Sequence, residues 1–159
     1  GCAVRVMIRI EGAAVSPRDF DHYTSGACHV FAIALHRTFG WELVAMTDFS
    51  EPYAYDAAGD IEMPSVWHVY CRDGNGDLHD VTGVRAGQDW PVHFREVFPH
   101  CDVDQVSLDV CATEADLSHY IDVGADDEDR PLGPAGEPDI EEALALVRTL
   151  YARQLAPAC

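Results

Sequence analysis

Residues 26–39 have the sequence GACHVFAIALHRTF and form the stretch that decides the fold. Their apolar residues recur at the three- and four-residue spacing of an amphipathic helix, the clearest such pattern in the chain. The flanking residues suit both ends of a helix. We expect Ser25 or Thr24 to cap the first turn and Gly40 to end the last, because short polar side chains bind free N–H groups and glycine tolerates the left-handed turn.

One stripe of this predicted helix is apolar and contains Cys28, Phe31, Ala32, Leu35 and Phe39. An apolar stripe is expected to face a sheet, so Cys28 points inward, whereas His29 lies about 100° further round on a wetter face. A thiol in the first turn meets free N–H groups and the positive end of the helix dipole, which favour a nucleophilic thiolate. A free cysteine is also often a small core residue. Cys28 alone therefore leaves both interpretations open.

A β-hairpin is predicted over residues 66–82, because two β-rich runs flank the turn sequence Asp73-Gly74-Asn75-Gly76. His68 lies on the first strand and Asp80 on the second. A three-residue loop over 74–76 makes them diagonal neighbours on one face, whereas a two-residue turn puts them on opposite faces. A glycine at the left-handed loop position favours the three-residue loop. We therefore predict that His68 and Asp80 can meet.

Trp67 is expected to alternate to the strand face opposite His68 and to pack in the core. Cys71 should also face away from His68.

The remaining predicted elements, in chain order, are a strand over 4–10, a loop over 11–25, a strand over 41–47, an acidic and aromatic loop over 48–64, a short helix over 90–98, a strand over 103–110, a helix over 113–121 capped by Thr113 with Asp116, a loop over 122–138 and a helix over 139–155.

Ten Lys and Arg against 28 Asp and Glu give a net charge of −18. Such a surface repels phosphate, which excludes nucleic-acid binding through a basic patch and disfavours anionic membrane surfaces. No apolar run approaches the roughly 18 residues that a membrane span needs. Residues 4–10 alternate apolar and basic side chains and do not resemble a signal peptide, so we expect a cytoplasmic protein or a delivered effector or toxin. If the 48–64 loop rims a groove, a basic peptide or protein is a better candidate substrate than an anionic one.

The six cysteines are spaced widely and irregularly, and none forms a CxxC motif. Reduced thiols are therefore expected, with Cys101–Cys111 the most local candidate for a disulfide. No metal site is predicted, because the potential ligands lack the paired spacing of zinc sites. These potential ligands are Cys28, His29, His68, Cys71 and His79. The other histidines are expected to be ordinary surface or helix-end residues, namely His22, His36, His93, His100 and His119.

The chain presents a helix-borne cysteine, then a strand-borne histidine, then an aspartate on the following strand. The motifs are Ser25-Gly26-Ala27-Cys28-His29-Val30-Phe31-Ala32, then Val66-Trp67-His68-Val69-Tyr70, then Leu78-His79-Asp80-Val81-Thr82-Gly83. This order resembles the papain-like superfamily of cysteine hydrolases and transferases in its compact bacterial and phage forms. It is similar to NlpC/P60 and CHAP amidases, transglutaminase-like proteins and the papain-fold domains of toxins. The resemblance covers residues 24–83.

The resemblance implies an α+β fold in which the helix carrying Cys28 packs on an antiparallel sheet. The length of 159 residues predicts one domain over 1–159. We expect its core over about 20–110 and a C-terminal helical part over about 113–155. Cys28 would be the nucleophile, His68 the base and Asp80 the group that orients the imidazole. The expected reaction forms an acyl-enzyme from an amide or thioester of a peptide or protein substrate and needs no cofactor. Hydrolysis and acyl transfer both stay open.

The resemblance also raises the question of the oxyanion hole, because no Gln or Asn precedes Cys28 closely. The backbone N–H of Cys28 would have to serve together with His22, Tyr23, Thr24 or Ser25.

The competing hypothesis is an acidic inhibitor or immunity-type binding protein without enzymatic activity. In that case Cys28 is a core residue, and the pairing of His68 with Asp80 is incidental.

Overall fold

The computed structural model describes residues 15–24, 26–48, 54–55, 59, 61–121 and 136–155. The helices are α1 (Pro17–Thr24), α2 (Cys28–Phe39), α3 (Trp90–Val97), α4 (Glu114–Ile121), α5 (Glu137–Leu150) and α6 (Ala152–Leu155). The strands are β1 (Glu42–Asp48), β2 (Ala54–Tyr55), β3 (Ile61–Met63), β4 (Ser65–Arg72), β5 (Leu78–Asp80), β6 (Gly83–Arg85) and β7 (Val106–Cys111). The strand predicted over 4–10 and most of the 48–64 loop lie outside the described residues.

In the described part of the chain, five strands form one antiparallel sheet in the order β6-β5-β4-β1-β7. Strands β2 and β3 pair separately. The predicted α+β class with an antiparallel sheet is confirmed. Strand β6 was not predicted, because its three residues are too few to show an alternating pattern.

The two faces of the sheet support two separate cores. On one face, Leu43 and Val69 pack with α2, which is covered in turn by α1 and α5. On the other face, Met46 and Tyr70 pack with Phe94 of α3. This split follows from the two-residue alternation of side chains along β1 and β4. The α2 core and the α3 core are named below by these helices.

Helix α2 is buried on all sides over its first two turns. The predicted position of His29 on a wetter face is therefore wrong, because helices cover the side of α2 that faces away from the sheet. The predicted end is confirmed: Gly40 adopts φ 71°, and its N–H donates to the carbonyl of His36 at 2.8 Å. The predicted start is wrong by two residues, since α2 begins at Cys28 with Ala27 as its uncapped flanking residue.

The loop predicted over 11–25 is wrong over 17–24, where α1 forms. Ser16 caps this helix by accepting the N–H of Asp19 at 3.1 Å, and Pro17 occupies the first helical position, where its fixed φ is favourable. Thr24 ends α1 instead of capping α2, and its hydroxyl donates to the carbonyl of Phe20 at 2.7 Å. The Ser-Pro-x-Asp sequence was the available signal for a helix start.

The register predicted for the hairpin is confirmed. Cys71 pairs with His79 and Arg72 with Leu78, which leaves residues 74–76 as a three-residue loop. Asp73 closes the loop by donating its N–H to the carbonyl of Asp77 at 2.9 Å. Gly76 takes the left-handed conformation, with φ 85°. The hairpin therefore places His68 of β4 and Asp80 of β5 on the same face of the sheet.

The prediction that Trp67 and His68 lie on opposite faces is wrong. The pairing of β1 with β4 shifts between Met46 and Thr47, so that Met46 pairs with His68 but Thr47 pairs with Val66. This irregularity leaves Trp67 as an extra residue, which places it in the α3 core with Tyr70. Cys71 faces the α2 core, as predicted.

The C-terminal part follows the prediction with adjustments. The capping box at α4 is confirmed, because Thr113 Oγ1 accepts the N–H of Asp116 and Asp116 Oδ2 accepts the N–H of Thr113. The helix predicted over 139–155 is two helices separated at Tyr151. Cys101 and Cys111 are free, so the candidate disulfide is wrong; Cys101 packs at the α3 core and Cys111 in the α2 core.

None of the helices formed by the described residues combines the length and the apolar character that crossing a membrane requires.

Candidate functional site

Cys28 is the first residue of α2 and is only 3% exposed. The turn from α1 into α2 passes through Gly26, whose φ of 99° is costly for residues with a side chain. No side chain caps the start of α2. The free N–H groups and the positive end of the helix dipole therefore act on the thiol without competition from a capping oxygen.

His68 and Asp80 meet on the side of the sheet that faces α3. Nε2 of His68 lies 2.9 Å from Oδ2 of Asp80, and the Asp80 side chain is 3% exposed. The second carboxylate oxygen, Oδ1, accepts the backbone N–H of Thr82 at 2.9 Å and the Thr82 hydroxyl at 2.5 Å. Arg85 donates from Nη2 to Thr82 Oγ1 at 2.8 Å. Asp80 is therefore fixed on both oxygens.

Thr82 and Arg85 were missed by the sequence reasoning. An aspartate that bonds the N–H two residues further on is a common turn motif, so the Asp80-Val81-Thr82 sequence carried a signal for Thr82. Arg85 gave no comparable signal, because its place beside Thr82 depends on the pairing of β5 with β6.

The Cys28 thiol lies beside the His68 ring, and each of the two groups shifts the pKa of the other. Since Asp80 occupies Nε2, the ring nitrogen that remains for the thiol is Nδ1. The structure therefore brings Cys28, His68 and Asp80 together in one row, with His68 in the middle. This arrangement can hold a thiolate beside an imidazolium, which a carboxylate orients from behind.

The electrostatics of the row favour the charged form of each member. Burial opposes ionisation of Cys28, but the charge and hydrogen bond of His68 outweigh it and lower the pKa of the thiol to about 6. Burial also opposes a charged His68, yet the Cys28 thiolate and Asp80 raise the pKa of the imidazole to about 10. The pKa of Asp80 falls to about 2, because the bonds and charge of His68 outweigh burial. These shifts favour a thiolate–imidazolium pair with an adjacent carboxylate.

His29 is a second imidazole beside the thiol. It is 1% exposed, and neither ring nitrogen has a hydrogen-bond partner within the described residues. Its proximity adds to the lowering of the Cys28 pKa, after the larger effect of His68. A buried polar ring without hydrogen-bond partners lowers stability. His29 therefore occupies its position beside Cys28 at a cost in stability.

The same hairpin contains a second set of cysteine, histidine and aspartate, which works as an internal comparison. His79 pairs with Cys71 across β4 and β5. However, both ring nitrogens of His79 are occupied, Nε2 by Asp73 at 2.8 Å and Nδ1 by the Tyr151 hydroxyl at 3.0 Å. Burial lowers the pKa of His79 and raises the pKa of the Cys71 thiol. This second set therefore holds a neutral thiol.

A cavity of about 230 Å³ borders the row on the α3 side of the sheet. His68, Asp80 and Thr82 form part of its polar wall, and Cys28 is not among its lining residues. The apolar lining consists of Phe20, Met46, Trp67, Phe94, Val97 and Phe98. His68 thus lies beside both the thiol and an apolar space large enough for part of a substrate.

His93 lines this cavity, so its expected role as an ordinary surface or helix-end residue is wrong. The Tyr70 hydroxyl is hydrogen-bonded to Nδ1 of His93. Burial and the Arg85 charge lower the pKa of His93 to about 4, while burial and Asp80 raise the pKa of Tyr70 above its usual range. The bond to Tyr70 occupies Nδ1 of His93 and leaves Nε2 as the ring nitrogen that can meet a ligand.

Within the part of the chain that the structure describes, no group of three or more His, Cys, Asp or Glu side chains could hold a metal ion. Comparison with protein-family models, with curated proteins and with solved structures yields no match for this chain.

Proposed function

We propose that this protein is a papain-like thiol hydrolase or acyl transferase that acts on amides or thioesters. Cys28 is the nucleophile, His68 the general base and acid, and Asp80 the group that orients the imidazole. The observation that carries the proposal is the position of the His68 ring, which is hydrogen-bonded to Asp80 at 2.9 Å and lies beside the Cys28 thiol. A base between a nucleophile and an orienting group is the arrangement that nucleophilic catalysis requires.

The fold supports the same interpretation. A helix that begins with Cys28 packs on an antiparallel sheet, and the next two strands at the site carry His68 and Asp80 in that order. This is the order of elements that the resemblance to papain-like enzymes implies. The comparison with Cys71 and His79 supports it further, because a histidine with both nitrogens occupied cannot take up the proton of a thiol.

The reaction begins with attack of the Cys28 thiolate on the substrate carbonyl carbon, which forms a C–S bond and a tetrahedral oxyanion. The backbone N–H groups of Cys28 and His29 are the proposed oxyanion donors, because α2 starts without a side-chain cap. Tyr23 is a poor donor, since it is buried against Phe31. The Thr24 hydroxyl already donates to a backbone carbonyl.

The oxyanion then collapses, the bond to the leaving amine or thiol breaks, and His68 donates its Nδ1 proton to that group. The resulting acyl-enzyme is a thioester of Cys28. Water or an amine attacks this thioester after giving a proton to His68, which regenerates the thiolate–imidazolium pair. Asp80 holds Nε2 throughout, so the same imidazole geometry serves both half-reactions.

Selective alkylation tests the proposal. Native protein treated at neutral pH with less than one equivalent of iodoacetamide should be modified first at Cys28, and peptide mapping would identify the position. Cys71 and Cys111 are matched buried controls, because burial raises the pKa of both thiols. Alkylation of Cys28 no faster than of these two would contradict the enzyme and favour the acidic binding protein.

A screen of peptide amides and thioesters would then define the reaction. Wild-type protein should release product, whereas Cys28→Ala should retain the fold and lose the activity. Adding an amine acceptor to the assay separates acyl transfer from hydrolysis, because a transferase forms the new amide in preference to the free acid.

A further inference from the structure

We infer that the cavity beside His68 is the substrate-binding pocket and takes an uncharged aromatic or bulky apolar group with one hydrogen-bonding group, which Nε2 of His93 recognises. This inference rests on the proposed function, because it deepens the description of the same site. Its evidence comes from three observations on the cavity itself: its size and lining, the state of its charged groups, and the Tyr70–His93 pair.

The size and lining suit an aromatic ring. A cavity of about 150 Å³ with apolar walls is enough to bind benzene, and this one measures about 230 Å³. Phe20 and Val97 line the cavity yet remain 37% and 52% exposed, so they form a rim through which a ligand can enter between α1 and α3. Aromatic walls such as Trp67 and Phe98 stack with a flat apolar group.

The charged groups of the cavity are already paired, which favours a neutral ligand. Asp80 uses Oδ2 for His68 and Oδ1 for Thr82. The charge of His68 is balanced by Asp80 and the Cys28 thiolate. A charged ligand would lose its hydration on entering without gaining a free counter-ion. The net charge of −18 therefore acts at long range on the whole substrate, whereas the pocket selects an uncharged group.

The Tyr70–His93 pair supplies the polar element of recognition. Because Tyr70 occupies Nδ1, the other nitrogen of His93 is left for a ligand. His93 lines the cavity, so this nitrogen can hydrogen-bond an amide group of the substrate. The ring centroids of His93 and His68 lie 5.9 Å apart, which places this contact close to the reacting groups.

Ligand binding to the full chain tests the pocket without requiring catalysis. The probe is 3-phenylpropionamide, titrated into wild type and Cys28→Ala while NMR follows the Trp67 indole N–H, assigned by Trp67→Phe. We expect saturable shifts and equal affinity in the two proteins, because Cys28 does not line the cavity. Absence of a saturable shift at Trp67 would overturn the inference.

Two substitutions on one helix locate the binding. Val97→Trp should obstruct the rim and weaken binding at least about tenfold, whereas Val92→Trp should have no effect. Val92 is a matched control, since it is 54% exposed on α3 and does not line the cavity. Equal effects of the two substitutions would contradict binding in this cavity.

Charge and acceptor variants of the probe test the chemistry. Both 3-phenylpropionate and 2-phenylethylammonium should bind more weakly than the amide, and tighter binding of either would overturn the assignment of a neutral ligand. In the double variant Tyr70→Phe/His93→Phe, the preference for the amide over propylbenzene should fall about tenfold. An unchanged preference would exclude His93 as the residue that hydrogen-bonds the amide. If the amide binds in the cavity but Cys28 is not selectively alkylated, the proposed function is wrong and the cavity remains a ligand-binding site.

Discussion

His68 and Asp80 are diagonal neighbours on β4 and β5, with Nε2 of the histidine 2.9 Å from Oδ2 of the aspartate. The hairpin holds a second such pair, His79 with Asp73 at 2.8 Å, on the opposite face of the sheet. The two pairs differ in the other ring nitrogen, which meets a thiol in His68 and a tyrosine hydroxyl in His79. A histidine–aspartate pair alone therefore does not define the candidate site. The thiol beside the histidine distinguishes it from the second pair.

Removing His68 should abolish the thiolate at neutral pH. In His68→Gln the buried thiol loses its counter-ion, so the Cys28 pKa should rise from about 6 to above the usual value of 9.0. The measurement is a pH titration of the thiolate ultraviolet absorbance, with Cys28→Ser subtracted as background. His79→Gln is the matched control and should leave the midpoint near 6, whereas equal effects would show that His68 does not act specifically.

Removing the carboxylate should cost stability as well as orientation. Asp80→Asn leaves the buried imidazole of His68 without its carboxylate partner, and breaking such a pair costs about 3 kcal/mol of unfolding free energy. Asp73→Asn should cost less, because that side chain is 14% exposed and water can replace its contacts. Urea denaturation at neutral pH measures both, and a smaller loss in Asp80→Asn would contradict the prediction.

The same carboxylate predicts acid sensitivity. The pKa of Asp80 is lowered from its ordinary value of 3.8 to about 2 on folding. The stabilisation is therefore fully present above about pH 4 and is lost as the pH falls toward 2. The wild-type urea midpoint should decline more steeply than that of Asp80→Asn across this interval. Parallel declines would show that other carboxylates dominate.

Local sequence signals were sufficient for the parts of the site that lie on regular elements. The apolar stripe containing Cys28 and the turn sequence after Asp73 predicted the helix, the hairpin and its register. These features depend on residues close together in the chain. The inward orientation of Cys28 followed because an apolar stripe must be buried.

The remaining features depend on contacts between distant segments. Trp67 reached the face of His68 through an irregularity in the pairing with β1, which alternation within β4 cannot show. His29 became buried because other helices cover α2, and His93 joined the site because α3 packs on the sheet. Patterns within one element describe its own faces, but not which element will cover them.

The three-residue loop makes a prediction about two glycines. Gly76 has φ 85°, a conformation that costs an L-residue about 1 kcal/mol, so Gly76→Ala should lower the unfolding free energy by that amount. Gly74→Ala should change little, because its φ lies outside that region and no atom lies within 4 Å of an added Cβ. Urea denaturation of both variants checks this, and equal costs would contradict the loop geometry.

Replacing His29 should keep or raise the stability of the protein and make Cys28 less reactive. Replacing its buried, unpartnered ring in His29→Leu removes the cost of burying polar atoms, so stability should be unchanged or higher by about 1 kcal/mol. The Cys28 pKa should rise in the same variant, because His29 contributes to lowering it. His36→Leu is the matched control on α2 and should destabilise, since Nδ1 of His36 donates to the Trp41 carbonyl at 2.6 Å. Urea denaturation and thiolate titration measure both effects. A destabilised His29→Leu with an unchanged Cys28 pKa would make His29 a packing residue with no part in activating the thiol.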